Sequence, residues 1–217
     1  MVAVIVVAAV AAALAQPGLR HPVSGRVIAR IMGYEGAAWL ERPEREREEE
    51  PSKAVAALDI RPGQIVADVG AGSGYYTVRL AERVGAAGKV YATDIQPQML
   101  TLVQQRVARE RLTQVEVVQA TETDPRLPQN QLDLILMVDV YHELARPQEV
   151  LRQRRTALKP DGRLVLIEFR KESAWVPIRE EHKMSVKEAR MELEAESYRF
   201  ERVIDVLPWQ HILVFRR

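Results

Sequence analysis

Short apolar runs alternate with stretches of helical periodicity along most of this chain. Gly- and Pro-containing turn signals separate them, at 61–63 and 159–162 among others. The apolar runs predict strands at 65–69, 89–93, 115–119, 132–138, 163–169, 199–206 and 211–215. The helical spacing predicts helices at 53–58, 76–84, 97–109, 147–158 and 186–195.

Strands that alternate with helices indicate a doubly wound α/β fold, with a mostly parallel sheet and helices on both faces. The run 132–138 is apolar throughout after Asp133, as a strand covered on both faces must be. The last two predicted strands are joined by residues 207–210 without an intervening helix. We therefore expect a sheet of seven strands whose last strand is antiparallel.

The first 52 residues depart from this alternation. Residues 2–15 form an unbroken apolar run, which has the length of a signal-peptide core and is too short to span a membrane as a helix. No Lys or Arg precedes it, so a buried core helix is the alternative to a signal peptide or membrane anchor. An anchor would associate the protein with a membrane, and a signal peptide would mean export.

Residues 16–52 are expected to be a helical extension, followed by the main domain at 53–217. Val27, Ile28, Ile31 and Met32 are at helical spacing. A helix there could be a lid over a ligand pocket or could simply pack on the domain surface.

Composition narrows the function classes. The 31 Lys and Arg nearly balance the 30 Asp and Glu, whereas nucleic-acid-binding domains usually carry a basic excess, so we expect no nucleic-acid partner. Cysteine is absent, which excludes disulfides, thiolate metal sites and a cysteine nucleophile.

The turn after the first predicted strand is rich in glycine. Gly70, Gly72 and Gly74 let the backbone bend sharply and approach a ligand at the carboxyl edge of the sheet. A dinucleotide-binding fingerprint would need Gly or Ala at position 75, which is Tyr75. Asp94 closes the second strand, where a carboxylate can accept hydrogen bonds from ribose hydroxyls.

Four segments together resemble the class I S-adenosylmethionine (SAM)-dependent methyltransferases. The run 68–74 is similar to the first motif of that family, and Ala92-Thr93-Asp94-Ile95 is similar to its second. Residues 133–136 and 158–164 look like its motifs at the fourth and fifth strands. The resemblance covers about residues 53–215 and implies a methyltransferase of the EC 2.1.1 type with SAM as its cofactor.

The resemblance also assigns roles to single residues. The glycines would face the methionine part of SAM, Asp94 would hold the ribose, and Thr121, Glu122 or Thr123 would meet the adenine. Asp68 could equally cap the turn, and Asp94 could cap the following helix. The positions assigned to the cofactor are Asp68, Gly70, Ala71, Gly72, Gly74, Asp94, Ile95, Thr121, Glu122 and Asp139.

Acceptor chemistry is expected where the fourth strand ends. A general base is needed only if the acceptor must lose a proton, and His142 is the natural candidate because a neutral imidazole can take one near pH 7. Tyr141 could orient the substrate, and Asp139 could contact SAM or tune His142. The alternative is that His142 simply starts a loop as a surface residue.

Trp39, Trp175 and His182 are candidate substrate-binding residues, since aromatic side chains near this edge suit an apolar or aromatic acceptor; each could equally be packing. Asp139 and Glu168 are too few ligands to indicate a metal, so none is expected.

The leading hypothesis is a methyltransferase acting on a small-molecule acceptor. A non-catalytic SAM-binding protein and a nucleotide-cofactor oxidoreductase are the alternatives, and Tyr75 argues against the latter. SAM availability favours the cytoplasm, in conflict with the signal-like segment. The acceptor and the oligomeric state are not determined by the sequence.

Overall fold

The computed structural model describes residues 18–217, and this part of the chain contains one sheet of eight strands. The apolar run at 2–15 lies outside the described residues. The strands are β1 (Ile65–Val69), β2 (Lys89–Asp94), β3 (Val115–Gln119), β4 (Leu132–Val138), β5 (Leu158–Arg170), β6 (Lys183–Met184), β7 (Arg199–Ile204) and β8 (Gln210–Arg216). The helices are α1 (Ala37–Leu40), α2 (Arg45–Glu49), α3 (Pro51–Ala57), α4 (Tyr75–Val84), α5 (Pro97–Glu110), α6 (Pro147–Ala157) and α7 (Val186–Glu194), with 3₁₀ turns at Tyr34–Gly36, Tyr141–Glu143 and Glu180–His182.

The strand order confirms the doubly wound fold. The sheet runs β3-β2-β1-β4-β5-β8-β7, with β1 to β5 parallel and β8 antiparallel to both β5 and β7. The expected count of seven strands is wrong by one. The additional strand is β6, which pairs with the end of β5 and has two residues, too few for an alternating pattern to reveal it. The strand order switches direction at β1, where open α/β sheets bind their ligands.

Strand β4 shows how the sequence builds a core on both faces of the sheet. Leu134 and Leu136 pack with residues of α3 and α4, whereas Ile135 and Met137 pack on the other face with residues of α6 and α7. All four side chains are fully buried. Burial of an aliphatic side chain stabilises the fold by about 1.5–3 kcal/mol, so the uninterrupted apolar run is what holds the site-bearing strand in place.

The turn predicted at 159–162 lies within the bounds of β5. Leu132 pairs with Leu158 and Leu134 pairs with Arg163, so these four residues bulge out of the ladder between the two pairs. Lys159 then reaches back to Asp133 on β4, with Nζ 2.6 Å from Oδ1. The strand therefore begins earlier than the turn signal suggests.

The helix predicted around residues 27–32 is wrong. Val27 forms an antiparallel bridge with Arg20, and residues 28–33 have no regular structure. The backbone there is bonded to other segments: Ala29 donates its N–H to the carbonyl of His142 (3.1 Å). Buried Arg26 pairs with Glu192 on α7, with Nε 2.8 Å from Oε1. These long-range bonds replace the local bonds that a helix would have made.

Within residues 18–217, none of the helices combines the length and the apolar character that a membrane crossing requires.

Candidate active site

The glycine turn after β1 is held against β2 by its own backbone. Gly70 and Ala71 both donate their N–H groups to the carbonyl of Thr93, at 2.8 and 2.9 Å. Gly70 has φ of 73°, and a Cβ there would lie 2.5 Å from a methyl carbon of Val140. Position 70 therefore requires glycine for two reasons, its left-handed backbone and its close contact with the chain after β4.

Asp94 fastens the same turn from the end of β2. Its carboxylate accepts the N–H of Gly72 (3.0 Å) and the N–H of Gln96 (2.9 Å). Gln96 is the residue before α5, so Asp94 also orders the start of that helix. Burial raises the pKa of Asp94, and the backbone donors oppose that rise. A carboxylate has about four lone-pair positions, so acceptor capacity remains on the cavity side.

Asp68 lies behind the turn and does not line the cavity. It is buried, and its Oδ2 accepts the hydroxyl of Thr77 on α4 at 2.6 Å. Burial raises the pKa of Asp68 to about 6, and the Thr77 hydrogen bond counteracts part of that rise. The contacts observed for Asp68 thus connect β1 to the first turns of α4.

A cavity of about 680 Å³ opens at the carboxyl ends of β1, β2 and β4. The N-terminal extension covers it, with Ile31, Met32, Trp39 and Leu40 in the wall. Ten of the fifteen site residues predicted from the sequence line this cavity. These are Trp39, Gly70, Gly72, Asp94, Ile95, Thr121, Glu122, Asp139, His142 and His182.

Five other predicted residues do not line the cavity: Asp68, Ala71, Gly74, Tyr141 and Trp175. Tyr141 is fully buried in the core, and its hydroxyl lies 3.4 Å from Nε2 of His21. Trp175 is 93% exposed in the segment between β5 and β6. The positions of these two aromatic side chains do not match the substrate-contacting roles expected from the sequence, because one points into the core and the other into solvent.

Polar contacts fix the extension over the cavity. Glu41 is hydrogen-bonded to the hydroxyl of Ser73 in the glycine turn and pairs with Arg106 of α5 at 2.5 Å. Met32 accepts a hydrogen bond from the Gln96 side chain at 3.0 Å and donates its N–H to Glu143 at 3.2 Å. The extension is therefore part of the site.

Asp139 follows β4 in a left-handed conformation, with φ of 53°. Its N–H donates to the carbonyl of Ile167 (2.8 Å), and its Oδ2 accepts the Gln210 amide (2.7 Å). Its Oδ1 is buried without a hydrogen-bond partner among the described residues. Burial, with Glu49 and Glu168 nearby, raises the pKa of Asp139 well above its usual value. Such strain and unsatisfied polarity are typical of functional positions.

Arg45 is a cavity residue that sequence reasoning missed. It is buried and pairs with Glu49, with Nε 2.7 Å from Oε2. Both belong to the charged stretch 41–50, and such a stretch usually faces solvent. Their i,i+4 spacing was the one signal that could have indicated a pair.

His142 is the centre of a second group of polar residues. Its Nδ1 lies 2.6 Å from Oε2 of Glu168, and its Nε2 lies 3.1 Å from Nδ1 of His182. Glu168 is fully buried and also accepts the N–H of Tyr141 at 2.9 Å. Oε1 of Glu143 is 3.9 Å from both His142 Nε2 and His182 Nδ1. Glu143 was not among the predicted site residues, because a single Glu after a strand carries no distinctive pattern.

Burial dominates the charge states of this group. It raises the pKa of Glu143 to about 7, although His142 opposes the rise. It lowers the pKa of His182, and the neighbouring His142 lowers it further. The neutral form of His182 is therefore favoured.

This fold and this cavity define a Rossmann-like α/β protein with a ligand cleft at the carboxyl edge of its sheet. Residues 67–164 match the family described as a methyltransferase domain. The solved structure of a SAM-dependent methyltransferase from Aquifex aeolicus is 30% identical, with a TM-score of 0.80 over 85% of this chain and 98% of that one. The chain therefore belongs to the class I SAM-dependent methyltransferases, and SAM is the cofactor of that family.

The similarity to two further proteins is more limited. The ubiquinone/menaquinone biosynthesis C-methyltransferase UbiE of Paraburkholderia phymatum is 33% identical over 130 residues, which are 58% of this chain and 50% of that protein. The chain thus matches about half the length of that relative. The cyclase SpnF is 16% identical with a TM-score of 0.66, over 77% of this chain and 80% of that one, and shares the fold alone.

The residues present fit SAM. The cavity volume lies within the range of about 300–1,000 Å³ typical of small-molecule sites. The unpartnered Oδ1 of Asp139 can accept a hydrogen bond from a ligand, and the buried carboxylates favour a cationic one. Gly70 and Gly72 leave main-chain atoms, without side chains, at the cavity wall.

Proposed function

We propose that this protein transfers the methyl group of SAM to a small-molecule acceptor. The observation that carries this proposal is that one cavity brings together the glycine turn with Asp94 and the acceptor end with His142. A methyl transferase must hold donor and acceptor side by side in a dry pocket, because proximity and desolvation lower the barrier.

The cofactor end is assigned to the glycine turn and the ends of β2 to β4. Asp94 would accept the ribose hydroxyls, and the main chain at Gly70 and Gly72 would contact the methionine part. Ile95, Thr121 and Glu122 line the wall beyond β2 and β3, where the adenine would lie. Oδ1 of Asp139 would accept a hydrogen bond from the amino group of SAM. Bound in this way, SAM supplies an electrophilic methyl carbon.

The part of the cavity assigned to the acceptor has mainly apolar walls and contains one basic group, the imidazole of His142. Phe169, Pro177 and Ile178 line the wall near His182, and Trp39 lies in the covering extension. These side chains suit an apolar or aromatic acceptor. Glu168 fixes the ring of His142 so that its Nε2 lone pair faces this end. We assign this lone pair a direct role toward the acceptor: it either takes the acceptor's proton or serves as a ligand.

Tyr141 contributes through its main chain. Its N–H holds Glu168, which in turn orients His142. Its phenol is buried away from the cavity, so we assign it a positioning role.

The relatives suggest which acceptors to test first. UbiE is named as a C-methyltransferase of ubiquinone and menaquinone biosynthesis. A ring carbon of a quinone precursor is consistent with the apolar wall, and a phenolic oxygen is consistent with it too. Both belong in the first panel of acceptors, together with amines and thiols.

Calorimetric titration with SAM and with S-adenosylhomocysteine, followed by labelled-methyl transfer to this panel, tests the proposal. We expect both nucleosides to bind and label to reach an acceptor. Binding without transfer to any carbon, oxygen, nitrogen or sulfur acceptor would favour the alternative of a non-catalytic SAM-binding protein. No binding of either nucleoside would refute the proposal itself.

A further inference from the structure

Three potential metal ligands converge at the acceptor end. Nε2 of His142, Nδ1 of His182 and a carboxylate oxygen of Glu143 all lie within 4.8 Å of one another. They come from the 3₁₀ turn after β4 and the 3₁₀ turn before β6, so only the tertiary fold brings them together. All three residues line the cavity.

The hydrogen bond between Glu168 and His142 leaves the lone pair of His142 Nε2 available to a metal ion. Glu168 is held by the N–H of Tyr141 and lies 2.6 Å from Nδ1 of His142, so Nδ1 carries the proton and Nε2 carries the lone pair. A carboxylate that receives the far N–H of a ligating histidine is the usual outer partner in metal sites. It fixes the ring and makes the ligating nitrogen more basic.

The separations match one ion shared by these residues. Zn–N bonds are about 2.0–2.1 Å, so two nitrogens on one ion lie about 2.9–3.4 Å apart for angles of about 90–110°. The two ring nitrogens are 3.1 Å apart. Oε1 of Glu143 is 3.9 Å from each, and a shift of about 0.5 Å would bring it to a tetrahedral distance.

We propose that His142, His182 and Glu143 bind one divalent transition-metal ion at the acceptor end, with Glu168 as the residue that orients His142. Two imidazoles and one carboxylate favour zinc or a similar ion over magnesium, which prefers oxygen ligands. The sequence indicated no metal because it offered Asp139 and Glu168 as ligands and did not place His182 beside His142.

This inference rests on the proposed function and defines the acceptor more narrowly. An ion held by three protein ligands would keep a coordination position open. Because all three residues line the cavity, a bound acceptor could reach such an ion. A hydroxyl or phenolic oxygen of the acceptor would occupy that position. Coordination would lower the pKa of that group, so its proton would leave to solvent. The oxygen would then bond to the methyl carbon as the bond from that carbon to the sulfur of SAM breaks, and S-adenosylhomocysteine would be released.

A direct hydrogen bond from His182 to His142 is the competing explanation of the 3.1 Å contact. It accounts for two of the three groups. Within residues 18–217 it leaves Glu143 with only the Met32 N–H as a hydrogen-bond partner, at 3.2 Å, and with two ring nitrogens 3.9 Å away. A cation accounts for all three.

The test uses the full chain without a histidine tag, treated with a chelator and titrated with Zn²⁺, Co²⁺ and Mg²⁺. Calorimetry gives stoichiometry and affinity, and the visible spectrum of Co²⁺ reports its coordination. The variants are His142→Ala, His182→Ala, Glu143→Gln and Glu168→Gln. The matched controls are His21→Gln, a histidine outside the cluster, and Glu180→Gln, an exposed glutamate two residues before His182. Circular dichroism verifies that each variant is folded.

We expect one Zn²⁺ or Co²⁺ per chain, no comparable Mg²⁺ binding and unchanged binding in both controls. Binding should be lost in the two alanine variants, weakened at least about tenfold in Glu143→Gln, and weakened by about 10–100-fold in Glu168→Gln. The absence of stoichiometric binding, or binding that survives both alanine substitutions, would overturn the metal site. SAM titration of the chelator-treated chain separates the two proposals. If SAM binds and methyl transfer is undiminished without metal, only the role of the metal at the acceptor is refuted, whereas no SAM binding refutes the proposed function.

Discussion

Nδ1 of His142 and Oε2 of Glu168 lie 2.6 Å apart although the residues are 26 positions apart in the chain. Strands β4 and β5 are parallel neighbours that pair Val138 with Ile167. The 3₁₀ turn after β4 therefore lies beside the last residues of β5, which include Glu168. Both side chains are almost fully buried, so their hydrogen bond is shielded from water. This pair determines which nitrogen of His142 faces the cavity.

Replacement of His142 by alanine should reduce methyl transfer by at least about 10²-fold, the scale of losing a proton-transfer group. SAM affinity should change little, because the glycine turn and Asp94 stay intact. Steady-state kinetics together with a SAM titration measures both. Glu168→Gln should lower kcat in the same direction with a smaller effect, since the imidazole remains but is less firmly oriented. Activity equal to wild type in His142→Ala would remove this residue from the mechanism.

Asp94→Ala should weaken SAM binding by about 1.5–3 kcal/mol, the scale of hydrogen bonds to a charged group. Asp94→Asn keeps an acceptor oxygen for the Gly72 N–H, so it should retain more of the turn's structure while it loses the negative charge. Calorimetry on both variants, with the exposed Asp161→Asn as a control, checks this. Unchanged affinity in both Asp94 variants would contradict the ribose role.

Gly70→Ala should destabilise the fold more than the same change at another glycine with positive φ. At Gly70 the added Cβ would lie 2.5 Å from Val140, whereas at Gly63, with φ of 86°, it would meet no atom of the described residues within 4 Å. Left-handed strain alone costs about 1–2 kcal/mol, so Gly63→Ala measures that cost and the excess at Gly70 measures the clash. Urea unfolding of the two variants gives the difference. Equal losses would mean that the Val140 side chain moves freely.

Asp68 should make the fold less stable as the pH rises from about 4 to 6. Its folded-state pKa is raised to about 6 from an ordinary 3.8, so between these values the folded protein binds more protons than the unfolded chain. The contribution of Asp68 to the free energy of unfolding is largest below the ordinary pKa of 3.8. It declines by up to about 3 kcal/mol as the pH rises through 6.

Asp68→Asn cannot ionise, so its stability relative to wild type should increase with pH across this window. Denaturant unfolding of both proteins from pH 4 to pH 8 measures the difference. Parallel pH profiles for the two proteins would show that the Asp68 carboxyl is not perturbed in this way.

The sequence by itself determined seven of the eight strands, the glycine turn after β1 and the acid that closes β2. Apolar runs such as 132–138 identify a strand locally, and alternation with helices leaves few topologies. The glycines at 70, 72 and 74 are equally local, because a backbone conformation imposes a residue type on its own position. For that reason the strand bounds at 65–69, 115–119 and 132–138 agree with the structure.

Only the tertiary structure decided which residues surround His142 and how the N-terminal extension covers the cavity. Glu168 and His182 lie beside His142 because β4, β5 and β6 are neighbours in the sheet, and no spacing in the chain encodes that proximity. Likewise, Arg45 and Glu49 are buried although they belong to a charged stretch. Residues 27–32 form hydrogen bonds with distant segments in place of the local bonds of a helix. Local patterns record the conformation of each residue, whereas a site made of several segments depends on long-range pairing, which is established only when the whole sheet forms.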